Sequence, residues 1–80
     1  MDDDAGAAHE ALDLRGLKCP LPALLTRRAL RRLPPGAVVA VLCTDPLAGV
    51  DIPNLVRETG DVLVAAERAS TGWRFVIHRA

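Results

Sequence analysis

The chain has 80 residues, half of them hydrophobic, and its ten basic and ten acidic side chains leave no net charge. A chain of this length forms one domain at most and buries a modest core, which excludes a large two-lobed catalytic cleft. The hydrophobic fraction is typical of a folded domain and argues against disorder. Because the charges balance, no overall field attracts nucleic acid, and we expect no direct nucleic-acid binding.

The start of the chain has no periodic pattern and predicts a flexible tail over residues 1–11, followed by a single domain over residues 12–80. Three aspartates follow Met1, where a secretory signal would be basic, and no apolar segment comes after them. No apolar run has the length needed to cross a membrane. We therefore expect a cytoplasmic protein with reduced cysteines and no membrane partner.

The first half of the chain predicts two strands joined by a helix. Residues 12–15 alternate apolar and polar, which indicates a short strand that ends at Gly16. A helix is predicted over residues 20–33, up to the Pro-Pro-Gly sequence that stops it. The apolar, β-branched residues 38–43 predict a second strand, and this order of elements forms a parallel pair with a right-handed crossover.

The second half predicts one further helix and a hairpin. Pro53 in the middle of a long helix would be costly, so we expect a brief helical turn at 46–50 and a main helix at 51–59. Strands are predicted over residues 62–66 and 73–78. The order βαβαββ predicts an α/β fold with one mixed sheet and the helices on one side.

Cys19 occupies the most informative stretch, Gly16-Leu17-Lys18-Cys19-Pro20-Leu21-Pro22. Two prolines suit the first turn of a helix, so we interpret Cys19 as the N-cap and Pro20 as the first helical residue. A helix N-terminus carries partial positive charge, which should lower the pKa of the Cys19 thiol and favour the thiolate. The residues expected to support the turn and the thiolate are Arg15, Gly16, Lys18, Pro20 and Pro22.

Two thiols and one carboxylate are expected at one edge of the sheet, because parallel strands end at the same edge and the sites of open α/β sheets form there. Cys19 follows the first strand, Cys43 closes the second, and Asp45 comes shortly after it. Cys43 and Asp45 are therefore candidates for the rim of a site, although Cys43 also fits core packing and Asp45 an N-cap. A Cys19–Cys43 redox pair would require Cα atoms within about 7 Å.

The outer face of the first predicted helix carries Leu24 together with Arg27, Arg28 and Arg31. Such a face is commonly solvated, and a docking surface for an acidic partner protein or for tRNA phosphates is the alternative. The scattered Cys and His residues have no ligand spacing, which predicts no metal site. Phosphate-binding loops and nucleophile elbows are absent from the sequence, and we expect no cofactor.

An activated cysteine on a small scaffold is suited to carrying a group covalently, and a thiolate that attacks a sulfane sulfur forms a persulfide. Two other functions remain open from the residues alone. One is a non-catalytic interaction or regulatory module in which Cys19 merely packs. The other is a thiol redox switch that uses Cys19 and Cys43.

Residues 13–22, Asp-Leu-Arg-Gly-Leu-Lys-Cys-Pro-Leu-Pro, resemble the signature of the TusA/SirA/YedF family of small sulfur carriers. The later runs Leu-Pro-Pro-Gly, Thr-Asp-Pro, Asp-Ile-Pro and Thr-Gly resemble the same family in the same order, so that the resemblance covers residues 12–79. It implies a two-layer α/β sandwich with sheet order 1-2-4-3 and two helices on one face.

The resemblance also implies a sulfurtransferase-type carrier that acts with partner enzymes. Cys19 would receive a persulfide from a cysteine desulfurase or a rhodanese-type donor and pass it to an acceptor sulfur-relay protein. Acceptors in such families serve 2-thiouridine formation in tRNA, molybdenum cofactor biosynthesis or sulfur oxidation. Leu21 stands where some members have an acidic residue, which leaves the particular partner open.

Overall fold

The computed structural model describes residues 10–80, which contain four strands and two helices in the predicted order. The elements are β1 (Glu10–Leu14), α1 (Leu21–Arg32), β2 (Val38–Cys43), α2 (Ala48–Thr59), β3 (Val62–Ala69) and β4 (Gly72–His78). The sheet order is β1-β2-β4-β3, with β1 parallel to β2 and the other pairs antiparallel. The predicted two-layer fold with sheet order 1-2-4-3 and two helices on one face is confirmed.

Strand β1 begins earlier than predicted. Glu10 and Ala11, which the sequence pattern assigned to the tail, pair with Val39 and Ala40 of β2. Backbone N–H and C=O groups form such a ladder whatever the side chains are, so the alternation of apolar residues underestimates the length of the strand. The rest of the predicted tail, residues 1–9, lies outside the described residues.

The core lies between the sheet and the helices. The central strands β2 and β4 point alternate side chains toward the helices, and these are fully buried. They are Val39, Val41, Phe75 and Ile77. Helix α1 turns an apolar face to the core, since Ala29 and Leu30 are buried and Leu33 packs against the core. Among residues 10–80, no helix has the length and apolar character needed to cross a bilayer.

Helix α2 begins at Ala48, three residues before the predicted main helix, and Pro53 lies inside it. The prediction of a break was wrong. Although Pro53 lacks the N–H that would bond to Gly49, Ala48 and Ile52 are both buried, and their packing stabilises the first turn as part of one helix. Gly49 allows this close packing, because a Cβ atom there would approach Cζ2 of Trp73 to 2.6 Å.

The hairpin strands are also longer than predicted, because Ala69 pairs with Gly72 and leaves only Ser70 and Thr71 in the turn. Gly72 has φ +158°, and a Cβ atom there would lie 2.0 Å from the carbonyl oxygen of Cys43. This close approach requires glycine where β4 starts beside the end of β2.

Thr26 offers a test of the packing of α1 against the sheet. Its hydroxyl is fully buried and has no hydrogen-bond partner among the described residues. Thr26→Val keeps the shape and removes the unsatisfied oxygen, so we expect the free energy of unfolding in urea to rise by about 1 kcal/mol. The control Thr26→Ser keeps the hydroxyl and loses a methyl group, which should lower that free energy by about 1 kcal/mol. A Thr26→Val protein less stable than the wild type would contradict this description of the core.

Candidate functional site

Cys19 is exposed in the loop between β1 and α1, at the edge of the sheet where the parallel strands end. Its backbone N–H donates to Oδ2 of Asp45 at 2.5 Å. The other carboxylate oxygen of Asp45 accepts the N–H of Leu47 at 3.2 Å, at the N-cap of α2. The Asp45 side chain therefore joins the cysteine loop directly to the start of α2, at this edge of the sheet.

A tight turn leads from β1 to Cys19. Gly16 has φ +87°, a conformation that favours glycine, and its N–H donates to Oγ1 of Thr44 at 2.8 Å. The N–H of Leu17 donates to the carbonyl of Leu14 at 3.2 Å. Thr44 and Asp45, which directly follow β2, thus hold the loop after β1 by accepting hydrogen bonds from Gly16 and Cys19.

Helix α1 begins one residue later than predicted, so Pro20 and not Cys19 is its N-cap. The first helical hydrogen bond runs from the N–H of Leu24 to the carbonyl of Pro20 at 3.1 Å, which excludes Cys19 from the helix. The Cys19–Pro20 peptide bond is cis. Pro20 is exposed, while Pro22 is buried in the first turn of α1.

The start of α1 offers few N–H groups to an anion. Pro20 and Pro22 have none, and the N–H of Leu21 is taken by the carbonyl of Lys18 at 2.9 Å. The N–H of Cys19 itself is taken by Asp45. The expected stabilisation of a thiolate by the helix N-terminus is therefore weak, because the prolines that shape the turn remove the donors that would provide it.

The pKa of the Cys19 thiol is raised, and the prediction that it would be lowered was wrong. The largest cause is a hydrogen bond to the carboxylate of Asp51, followed by desolvation and by the negative charges of Asp51 and Asp45. Each of these effects favours the protonated thiol. The sequence pattern had assigned Asp51 only to helix capping, and nothing local in the sequence indicates that it faces Cys19.

Arg15 does not offset these carboxylates, because its guanidinium binds Asp13. Nε and Nη2 of Arg15 each donate to an Asp13 oxygen at 2.8 Å, and the bonds lower the pKa of Asp13 to about 2. Lys18 is exposed next to Cys19 in the chain. The prediction that Arg15 stabilises the thiolate is therefore corrected. Arg15 instead forms an ion pair with Asp13 at the end of β1.

Cys43 lies in the core and not on the rim of the site. Its side chain is 1% exposed, and burial, with a smaller contribution from the charge of Asp45, raises the pKa of its thiol to about 11. Both cysteines are free thiols, one exposed and one buried. Because strand β2 alternates its side chains, Cys43 points to the helix-covered face of the sheet with Val39 and Val41.

A groove of about 330 Å³ runs between α1 and α2 and begins at Cys19. It is lined by Cys19, Pro20, Ala23, Leu24, Arg27, Asp51, Asn54, Leu55 and Glu58. Nη2 of Arg27 donates to Oε1 of Glu58 at 3.1 Å and so links the two helices. Within residues 10–80, no group of three or more His, Cys, Asp or Glu side chains is arranged to hold a metal ion.

The predicted docking residues do not form one uniform surface. Leu24 is 53% exposed on the edge of the groove, and Arg27 is half-buried in its ion pair with Glu58. Arg28 and Arg31 are exposed on the outer side of α1. The arrangement presents an accessible sulfur at the end of an open groove, with an apolar side chain and basic groups beside it.

Asp51→Asn tests the cause of the raised pKa. Removing the negative charge while keeping the shape should lower the pKa of Cys19, increase the thiolate fraction near neutral pH and accelerate alkylation by iodoacetamide several-fold. Intact-mass spectrometry across a pH series measures the rate. Glu67→Gln, which removes a charge that is paired with Arg74 on the hairpin, is the matched control and should leave the pH curve unchanged. An unchanged or upward-shifted curve for Asp51→Asn would refute this cause.

Comparison with known proteins agrees with the fold. A SirA-like protein from Desulfitobacterium hafniense, of known crystal structure, is 24% identical and has a TM-score of 0.74, over 89% of this chain and 96% of that one. At this level of identity the likeness shows a shared fold. The family model of sulfurtransferase TusA matches residues 10–79. The chain belongs to the TusA family.

Proposed function

We propose that the protein is a sulfur carrier that accepts sulfane sulfur as a persulfide on Cys19 and passes it to an acceptor protein. The observation that carries this proposal is the exposed thiol of Cys19 at the end of an open groove, in a chain of the TusA sulfurtransferase family. The second cysteine of the chain, Cys43, is sealed in the core and is poorly suited to exchange with a partner. Cys19 is therefore the natural acceptor.

The transfer is a thiol–persulfide exchange. The Cys19 thiolate attacks the terminal sulfur of a donor persulfide, a new S–S bond forms, and the S–S bond of the donor breaks. The donor cysteine leaves as a thiolate and takes up a proton. An acceptor thiolate then attacks the terminal sulfur on Cys19 in the same way. The transferred atom keeps its oxidation state, so the exchange requires no external oxidant or reductant.

The carboxylate of Asp51 lowers the thiolate fraction of this carrier at rest. Cysteine oxidation follows thiolate character and exposure, and Cys19 is exposed. By raising the pKa of the thiol, Asp51 and Asp45 reduce the thiolate fraction between transfers. We propose that this protects the exposed sulfur from unspecific oxidation while leaving it accessible to a docked partner.

The donor is proposed to be a cysteine desulfurase or a rhodanese-type protein, in the cytoplasm, where thiols remain reduced. The acceptor would be a protein of tRNA 2-thiolation, molybdenum cofactor synthesis or sulfur oxidation. The surface of Leu24, Arg27, Arg28 and Arg31 supports docking of an acidic partner, because Leu24 is exposed beside the groove and two of the arginines are exposed on the same helix.

Sulfur loading tests the proposal. The protein is incubated with a cysteine desulfurase and cysteine, or with a rhodanese and thiosulfate, and analysed by intact-mass spectrometry. We expect the wild type and Cys43→Ala to gain the mass of one sulfur atom, which dithiothreitol removes. Cys19→Ser, whose fold should be retained because residue 19 is exposed, should gain none. Circular dichroism and urea unfolding verify the folds of both variants.

Two outcomes would overturn the proposal. Equal loading of the wild type and Cys19→Ser would exclude Cys19 as the acceptor. A wild type that stays unmodified with both donors, while a reference thiol protein is loaded in the same reaction, would exclude the carrier role and favour a non-catalytic interaction module. Mild oxidation of the same samples addresses a redox switch, which requires an intramolecular disulfide that Cys43→Ala abolishes.

A further inference from the structure

Four exposed aliphatic side chains lie at the starts of the two helices. Leu21 and Leu24 belong to the first turn of α1, and Leu47 and Val50 lie at the start of α2. Their exposed fractions are 44%, 53%, 54% and 60%. We name these four residues the apolar collar. Large exposed aliphatic groups concentrated in this way are typical of a surface that another molecule covers.

Hydrogen bonds place Cys19 between the two sides of the apolar collar. Asp45 accepts the N–H groups of both Cys19 and Leu47, and the carbonyl of Leu47 accepts the N–H groups of Val50 and Asp51. On the other side, Leu24 lines the same groove as Cys19. Both sides of the collar are therefore connected to the cysteine loop, one through the groove lining and the other through Asp45.

The centre of the apolar collar is negative. Asp51 and Glu58 line the groove, and Arg27, the one cation that lines it among residues 10–80, is bound to Glu58. Asp45 adds a second carboxylate beside Cys19. The charges that act on the thiol are those of Asp51 and Asp45, although Lys18 is its neighbour in the chain. The groove thus has the opposite sign to the basic outer side of α1.

We infer that the apolar collar and the groove receive a partner segment that is apolar and carries a positive charge beside its reactive sulfur. This inference rests on the proposed function, since the exchange takes place at Cys19. Apolar groups of the partner cover the exposed aliphatic side chains, which favours association by removing both surfaces from water. A cation beside the reactive sulfur meets the carboxylate of Asp51, whereas an acidic group at that point is repelled.

Such a cation also changes the reactivity of Cys19. It offsets the negative charge that raises the pKa of the thiol, so the pKa falls and the thiolate fraction increases when the matching segment is bound, with the proton released to solvent. A neutral or acidic segment leaves the thiol protonated. Selection of the partner and activation of the nucleophile thereby depend on the same carboxylate.

Charged methanethiosulfonate reagents test the inference without a partner protein. The probes are the trimethylammonium-ethyl, sulfonato-ethyl and methyl reagents, and their rates with Cys19 are divided by their rates with 2-mercaptoethanol at the same pH. In the wild type at low ionic strength, we expect the corrected rate of the cationic reagent to exceed that of the anionic reagent at least about tenfold. The ratio should fall as salt is added. Asp51→Asn should lower it to the smaller preference that Asp45 alone maintains.

Two control variants separate the contributions. Glu67→Gln removes a carboxylate on the hairpin and should keep the wild-type ratio. The apolar collar should make the wild type react faster with a benzyl methanethiosulfonate than with the methyl reagent, after the same correction. Leu24→Ser combined with Val50→Ser should lose this preference and keep the charge ratio, because both residues are exposed and belong to the apolar collar. Intact mass confirms that Cys19→Ser takes up no reagent.

A wild-type ratio of one or below, or a ratio that Asp51→Asn does not change, would overturn the inference. Because no sulfane sulfur enters this assay, its outcome is independent of sulfur loading. A chain that loads sulfur on Cys19 yet shows no charge preference keeps the proposed function and loses the inferred partner chemistry. The reverse result would show a charge-selective thiol site without a carrier role.

Discussion

The structure depends on the carboxylate of Asp45, which holds together two segments that are far apart in the sequence, the loop after β1 and the segment between β2 and α2. One oxygen binds the N–H of Cys19 and the other binds the N–H of Leu47, so the loop after β1 and the start of α2 have a fixed relation. Thr44 adds a bond from its side chain to Gly16. These contacts fix an exposed sulfur at the edge of the sheet without burying it.

The electrostatics around the sulfur differ from those of a typical activated cysteine. Activated thiols commonly sit beside cations or free helix amides, which favour the thiolate. Here Pro20 and Pro22 remove amides from the start of α1, and the carboxylate of Asp51 accepts a hydrogen bond from the protonated thiol. The arrangement favours a thiol that is accessible but held in the protonated form, and it makes activation depend on what binds next to Asp51.

Much of the fold followed from local patterns in the sequence. Three local patterns correctly predicted the element order: the apolar run of β2, the Pro-Pro-Gly stop after α1 and the alternation in β4. The apolar patterns also indicate the core face, because they report burial directly. The start of α2 was predicted too late. The cost of Pro53 can be read from the local sequence, whereas the burial of Ala48 and Ile52, which outweighs that cost, depends on tertiary packing. The same limit applies to β1, whose first residues pair through the backbone alone.

The site was predictable in position but not in charge. The Cys-Pro-Leu-Pro sequence located the sulfur, and the βαβ order placed Asp45 at the same edge. The effect of Asp51 on the thiol was not predictable, because it comes from a contact between the loop before α1 and helix α2 that no local pattern encodes. Arg15 misled for a different reason: it was expected to act on the thiol, but its guanidinium pairs with Asp13, two residues before it in the chain.

The most direct test is to locate the transferred sulfur by residue. The wild-type protein is loaded by a cysteine desulfurase, alkylated without reduction, digested and sequenced by tandem mass spectrometry. We expect the additional sulfur in the peptide that contains Cys19 and none in the peptide that contains Cys43, which is buried. Additional sulfur on Cys43, or equal labelling of both peptides in the folded protein, would contradict the role assigned to Cys19.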